Sequence, residues 1–265
     1  MATERILITG ASGTIGRMLR ERLRAPGRTL RLLDQVAPPE GGPGEDVEPM
    51  AGSVTDTALL AEACRDVDAV LHLAALPVEN TWERILAVNV DGTRALLEAA
   101  RGAGVPRVVL ASSNHAAGFH PATGTDLPAE AAPRPDTYYG FSKAATEALG
   151  SLYHSRYGMD VLCLRIGAYG DRPDDERGLS IWLSPEDGGR LFEACLSTPS
   201  PGFRVVWGVS ANTRRLVSRA EGEAIGYHPR DDAEVFADQV RSFPPGTERD
   251  FLGGTFTTAP LGEPM

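Results

Sequence analysis

Tyr139 and Lys143, in the run Tyr139-Gly-Phe-Ser-Lys143, are of types that can move a proton together. Their i, i+4 spacing puts a phenol and an ammonium on one face of a helix. A free phenol, with a pKa of about 10, is a poor base at neutral pH. A fixed positive charge beside it favours the phenolate and is expected to lower that pKa. Tyr139 would then take the proton of a substrate hydroxyl while hydride leaves the same carbon. Tyr138 is a rival for the base, but its phase sits one residue off the Lys143 face. Alone, the spacing is one that chance supplies, and an ordinary exposed helix start is the alternative. Upstream, an apolar run ends in Ala111-Ser112-Ser113-Asn114, which offers Ser113 as a hydrogen-bond partner for the reacting oxygen. Asn89, on the preceding long helix, either holds a water that relays protons to Lys143 or is a satisfied helix asparagine.

A second motif indicates what accepts the hydride. Thr9-Gly10-Ala-Ser-Gly13-Thr-Ile-Gly16 lies between an apolar strand and a helical pattern. Glycine serves where a chain turns tightly and where backbone must approach a pyrophosphate. The helix start behind it offers N–H groups and a positive dipole end to that anion. Asp34 closes the second strand 18 residues beyond Gly16, near the ~20-residue spacing of an acid that binds the adenosine ribose. A carboxylate accepts from both ribose hydroxyls and repels a 2′-phosphate, so the expected cofactor is NAD rather than NADP. A strand-terminal Asp that caps a turn is the alternative. Lys143 would also hold the nicotinamide ribose.

These residues need a scaffold, and the patterning supplies one. Short apolar runs read as strands at Arg5–Thr9, Leu30–Leu33, Ala69–Leu73, Arg107–Ala111, Val161–Arg165 and Phe203–Trp207. Helical patterns separate them at Ile15–Leu23, Ala58–Cys64, Glu83–Arg101, Tyr139–Tyr157 and Pro185–Leu196, with a last one at Asp232–Val240. Strands apolar on both faces, alternating with helices, predict an α/β fold: a doubly wound parallel sheet of Rossmann type. The 265 residues suit one domain. Residues 1–166 would be mainly dinucleotide-binding, and 167–265 mainly a small substrate-binding cap.

Composition narrows the partners. A net charge of −10 builds no basic stripe for nucleic acid and suits no anionic membrane surface. No apolar stretch approaches the roughly 20 residues that span a bilayer. Cys64, Cys163 and Cys195 are scattered, with neither metal-ligand spacing nor a disulfide framework. A small-molecule substrate and a reduced cytoplasmic setting fit this composition.

Taken in order, Gly10, Gly13, Gly16, His72-Leu-Ala-Ala75, Asn89, Ser113, Tyr139 and Lys143 resemble the extended short-chain dehydrogenase/reductase superfamily over the whole chain. The resemblance implies a wider cofactor set: Ser12, Thr14, Ile15, Ser53, Val54, Leu73, Ala74, Ala75 and Ile166, beside Gly10, Gly13, Gly16, Asp34, Asn89, Tyr139 and Lys143. A narrower resemblance rests on Ser112-Ser-Asn-His-Ala-Ala-Gly-Phe119, Arg165-Ile-Gly167, Trp182-Leu-Ser184, Val205-Val-Trp-Gly-Val-Ser-Ala-Asn212 and Gly253-Gly-Thr-Phe256. These look like the uronate dehydrogenases, which oxidise the anomeric carbon of glucuronate or galacturonate with NAD to the aldarolactone.

That likeness implies that Ser113 and Tyr139 meet the reacting hydroxyl, Asn114 and His115 bind sugar hydroxyls, and Arg177 holds the uronate carboxylate. A guanidinium suits that task because it offers a carboxylate two parallel hydrogen bonds. The alternatives are a packed loop histidine for His115 and a surface ion pair within Asp174-Asp-Glu-Arg177. Relatives assemble as homo-oligomers. The chain departs from the pattern where Pro77 and Ala168 replace serines that bind the sugar. Ser53 replaces an acid near the adenine, and Thr213-Arg-Arg215 replaces paired tryptophans. Two further readings therefore stay open: a related dehydrogenase or epimerase of another small sugar or hydroxy acid, and a dinucleotide-binding regulator that performs no chemistry.

Overall fold

A computed structural model describes residues 4–124, 126–242 and 250–265. Strands β1 (Glu4–Thr9), β2 (Arg28–Asp34), β3 (Val47–Ala51), β4 (Ala69–His72), β5 (Arg107–Ser113) and β6 (Asp160–Ile166) run through the first two thirds of the chain. Two short strands, β7 (Ala168–Tyr169) and β8 (Trp182–Leu183), pair with each other, and β9 (Phe203–Gly208) returns to the main sheet. That sheet is parallel throughout, in the order β3-β2-β1-β4-β5-β6-β9. The order reverses between β1 and β4. Such a switch opens a crevice beyond the carboxyl ends of the strands, where open α/β sheets bind ligands.

The helices are α1 (Thr14–Arg22), α2 (Thr57–Ala63), α3 (Trp82–Ile85), α4 (Gly92–Gly102), α5 (Tyr138–Tyr157), α6 (Gly178–Ile181), α7 (Pro185–Ser197) and α8 (Ala220–Ala224). Strand alternation sorts the core into two layers. Leu7, Val70, Val108, Leu110, Val161 and Val205 pack with Leu60 of α2, Leu96 of α4 and Tyr153 of α5. Ile6, Ile8, Leu71, Val109, Leu162 and Val206 face the other way, onto Leu19 of α1 and Leu191 and Phe192 of α7. Both faces of the sheet are thus dry, and the doubly wound architecture expected from the apolar runs is present. No helix among the described residues is long and apolar enough to cross a membrane.

Besides the short β7, β8, α6 and α8, which no pattern marked, three elements differ from the sequence prediction. β3 was not expected: it sits at the sheet edge, is half-exposed and contains Pro49, which an edge strand tolerates. The helix predicted over Glu83–Arg101 is interrupted. α3 and α4 are joined by a π-helical turn at Leu86–Asp91 that carries Asn89. The helix predicted at Asp232–Val240 is only a 3₁₀ turn, Ala233–Phe236.

A buried polar chain links the glycine loop to that π turn. Thr9 Oγ1 lies 2.7 Å from His72 Nδ1, and His72 Nε2 lies 3.1 Å from Thr93 Oγ1. The Thr93 hydroxyl donates to the Asn89 carbonyl at 2.6 Å, so it can only accept from His72 Nε2–H. Nδ1 then accepts from Thr9. Burial, helped by the Lys143 charge, pulls the His72 pKa down to about 3. The folded state therefore binds fewer protons than the unfolded state between about pH 3 and 6.5. Stability is full above pH 6.5 and falls as pH drops through that window. Urea titrations from pH 7 to 4.5 should show this loss, at a slope of up to one proton from His72. In His72→Gln the slope should shrink by that amount, and an unchanged slope would contradict the assignment.

Candidate active site

A cleft of about 760 Å³ lies at the switch between β1 and β4, within the ~300–1,000 Å³ range of ligand pockets. Gly10, Gly13, Thr14, Ile15 and Gly16 form one wall, with Asp34 and Val54 at the outer end. Leu73, Ala74, Ala75 and Pro77 form the floor, and Ser113, Tyr139, Lys143 and Ile166 close the inner end. Gly10 has φ +71°, and a Cβ there would stand 2.7 Å from the Ala74 nitrogen. A Cβ at Gly16 would stand 2.5 Å from the Gly10 carbonyl oxygen. Only glycine lets this turn close against the β4 loop. Gly13 caps α1 with extended backbone and no side-chain bond to the first-turn N–H groups.

Asp34 accepts from Ser12 N and from Val36 N, each at 3.0 Å and each on a different carboxylate oxygen. Each oxygen keeps a lone pair for a ribose hydroxyl, and the carboxylate would oppose a 2′-phosphate. The bare glycine turn, the uncapped helix start and Asp34 fit NAD. Three residues of the expected cofactor set, Ser12, Ser53 and Asn89, are not in the cleft wall. Ser12 supplies its backbone N–H to Asp34, and its hydroxyl donates to the Val36 carbonyl. Ser53 bonds Thr55 and Gln35 beside the cleft.

At the inner end, Thr137 caps α5 by accepting from Gly140 N at 3.0 Å. The cap places Tyr139 in the first turn, where Ser113 at the end of β5 acts on its phenol. Lys143 follows one turn later with its Nζ 5.6 Å from the Tyr139 ring centroid. Both side chains are buried. Burial pushes the Tyr139 phenol up to about 12, with the Ser113 bond opposing, and pulls Lys143 down to about 8. The lowered phenol expected from the spacing is absent because desolvation dominates, and because Lys143 Nζ donates to the Ala111 carbonyl at 2.7 Å. Tyr138, the rival, points away to pack edge-on against Trp82.

Asn89 does not line the cleft. Its amide donates to the Leu76 carbonyl at 3.1 Å and to Ser142 Oγ at 2.9 Å, and accepts from Leu76 N at 2.8 Å. Both amide hydrogens are engaged, so the geometry is that of the satisfied asparagine rather than of a side chain open to a relaying water. What it does is tie the floor of the cleft to α5.

Beside Ser113, a 3₁₀ turn over Asn114–Ala117 presents Asn114 and His115. Arg177 Nε donates to the Leu252 carbonyl at 2.9 Å. With the Asn114 amide oriented to satisfy its neighbours, Arg177 Nη2 donates to Asn114 Oδ1 at 2.7 Å, and Asn114 donates to the Ile166 carbonyl at 3.3 Å. The surface ion pair within Asp174–Arg177 does not form. Asp175 accepts from Gly178 N instead, and burial lowers the Arg177 pKa against the pull of Asp175 and Asp136. Gly254, at φ +58°, clears the stem: a Cβ there would be 2.7 Å from Arg177 Cδ. Pro77 lines the cleft without a donor, and Ala168 sits on β7 outside the wall.

Two buried carboxylates at this site carried no signal in the sequence. Glu79 Oε2 accepts from Tyr139 N, and Glu79 Oε1 from Gly262 N, both at 2.8 Å. Asp136 meets His115 at 2.7 Å. The only local cue was Asp136 preceding the Thr137 cap.

Residues 6–183 match the family model described as the NAD dependent epimerase/dehydratase family. The chain belongs to this family. Among curated relatives, the uronate dehydrogenase of Pseudomonas syringae pv. tomato is 38% identical over 98% of this chain and 95% of its own length. The crystal structure of uronate dehydrogenase from Agrobacterium tumefaciens superposes with a TM-score of 0.91 at 36% identity, covering 100% of both chains. A mutant of that enzyme complexed with NAD matches at TM-score 0.90 and 36% identity, over 98% of both chains.

Lys143 tests whether the buried pair is kept for chemistry rather than for folding. Its folded pKa of about 8 lies below the ordinary lysine value of 10.5, so the ammonium destabilises the fold below pH 8 by about 3 kcal/mol, a penalty that vanishes by about pH 10.5. Lys143→Met removes that penalty and loses the Ala111 hydrogen bond, worth ~1 kcal/mol. At pH 7 its melting temperature should not fall, while kcat should drop ~100-fold or more. A melting temperature that falls with little change in kcat would assign Lys143 a structural role.

Proposed function

We propose that this protein oxidises a hexuronate, D-glucuronate or D-galacturonate, at its anomeric carbon to the aldarolactone, with NAD as acceptor. The observation that carries the reading is Arg177. Its guanidinium is held by the Leu252 carbonyl and by Asn114, which follows Ser113 in the chain, rather than paired on the surface. A partly desolvated guanidinium bonded to the residue after Ser113 suits a substrate with a carboxylate at one end and an oxidisable hydroxyl at the other. The full-length likeness to uronate dehydrogenases supports the same reading.

In this reading the anomeric hydroxyl lies against Ser113 and Tyr139. Ser113 orients its oxygen. Tyr139 first releases its own proton to solvent, and as the phenolate it takes the substrate proton as the C1–H bond breaks; the C1–O bond becomes a carbonyl while the ring oxygen stays, which yields the lactone. The chemistry that NAD supplies when bound is acceptance of the hydride leaving C1. Lys143 keeps a positive charge at neutral pH, because a pKa of about 8 still leaves it mostly protonated. That charge favours the phenolate that has to form before the substrate proton is taken. Asn89 acts as a positioning residue, holding the cleft floor to α5. Asn114 and His115 bind sugar hydroxyls. Residues 1–166 supply mainly the dinucleotide side, and 167–265 mainly the substrate side.

A second reading, a dehydrogenase or epimerase of another small sugar or hydroxy acid, draws on Pro77 and Ala168. Neither offers the sugar a side-chain hydroxyl, and each missing contact weakens binding by ~0.5–1.5 kcal/mol unless another group replaces it. Incubation with NAD and each uronate, followed by NADH absorbance and by NMR of the product, separates the readings. NADH with lactone, opening to aldarate, supports uronate oxidation. An isomerised sugar without net NADH identifies an epimerase, and silence on both uronates rejects the first reading.

A further inference from the structure

The pairing of His115 with Asp136 goes one step further. The His115 ring lies stacked on Phe256, with centroids 4.0 Å apart, and edge-on to Tyr139 at 5.8 Å. Its Nδ1 is 2.7 Å from Asp136 Oδ2, and the Asp136 side chain has no solvent exposure. Thr137 Oγ1 donates to the other carboxylate oxygen at 3.0 Å. Three glycines from separate segments make room for this carboxylate. A Cβ at Gly118 or Gly253 would stand 1.9 or 2.0 Å from Oδ2, and one at Gly140 would stand 2.7 Å from Oδ1. No side chain fits at any of the three, so the fold commits three positions to seating one buried acid.

A carboxylate offers lone pairs only, so the hydrogen of this bond belongs to Nδ1. A neutral imidazole protonated at Nδ1 leaves Nε2 bare. No described residue partners Nε2, and His115 follows Ser113 and Asn114 directly in the chain. We propose that Asp136 is a positioning residue that fixes His115 as the Nδ1–H tautomer, so that Nε2 accepts from a sugar hydroxyl and turns away the carboxylate. The substrate then has one way to lie: its carboxylate goes to Arg177 and a hydroxyl to His115. A protonated His115 would be a second cation beside Arg177 and would let the sugar bind in the reverse sense. The charged and titratable groups that act on His115 are Asp136 and Arg177, with Tyr139 against its edge. Burial and the Arg177 charge hold its pKa below the ordinary histidine value against the pull of Asp136, which keeps the ring neutral.

The inference rests on the uronate reading, and its test separates the two. Nitrogen NMR of ¹⁵N-histidine-labelled full-length protein with NAD at pH 7 reads the tautomer directly, the His115 signals being assigned by their absence in His115→Gln. Nδ1 protonated with Nε2 bare is expected, and either the reverse tautomer or an imidazolium overturns the proposal. This measurement needs no turnover, so it stands even if neither uronate is oxidised. In Asp136→Asn the ring should lose its single tautomer. The uronate KM should rise ~10-fold, the worth of about one hydrogen bond. The loss should fall more on that KM than on kcat, and the KM for NAD should hold. A uronate KM within about 2-fold of the parent enzyme, or equal losses for NAD and uronate, would mean that Asp136 only supports the fold.

Discussion

A buried ammonium is the constraint around which the rest of the site is arranged. Lys143 sits in a dry place beside a phenol that burial keeps protonated, and both groups are less willing to carry charge than they would be in water. Such a pair does not hold itself in position. α5 must be pinned against β5 and the β4 loop, and four buried contacts do this. Thr137 caps the helix, Glu79 accepts from the Tyr139 amide, and Asn89 bonds Ser142. Ser112 donates to Glu147, one turn beyond Lys143, at 2.6 Å. Arg165 grips that glutamate with two hydrogen bonds of 2.9 and 2.8 Å. Breaking a buried pair of this kind would strand a charge in the core, so the network resists any tilt that would part Tyr139 from Ser113.

The same arrangement gives the cleft two ends of opposite character. Asp34 closes the outer end with a carboxylate already ordered by two backbone N–H groups. Arg177, Asn114 and His115 stand beside the inner end with donors and one bare acceptor. In the proposed reading, ribose hydroxyls would meet the first and a sugar acid the second, with the reacting carbon between them at the phenol. The His72 chain joins the two ends through the π turn, from Thr9 in the glycine loop to Asn89 under α5.

Much of this layout was legible in the chain. Apolar runs such as Ile6–Ile8 and Val108–Leu110 are buried on both sheet faces, so their pattern announces parallel strands with helices above and below. The Gly10–Gly16 turn and Asp34 were readable because a tight turn between strand and helix leaves few alternatives to glycine. What escaped depended on contacts distant in sequence. β3 is half-exposed and holds Pro49, so no apolar run marks it. Nothing in Leu86–Asp91 distinguishes a π turn from ordinary helix. The depressed phenol pKa expected from Lys143 did not appear, because burial is a property of the folded chain and not of a five-residue spacing. Leu252, which fixes Arg177, lies 75 residues away. Asp136 is seated by Gly118, Gly140 and Gly253, which no local motif groups together.

The central claim is that Arg177 reads a substrate carboxylate while Tyr139 and Ser113 handle the anomeric hydroxyl. The most direct measurement is the ratio of kcat/KM for galacturonate to that for galactose, in the parent enzyme and in Arg177→Ala. The two sugars share the reacting carbon and differ at the carboxylate. The account predicts a ratio far above one in the parent, and a fall of ~10–100-fold in Arg177→Ala carried mainly by the galacturonate KM, as befits a lost charge-assisted bond. A ratio that stays the same in the variant would contradict it.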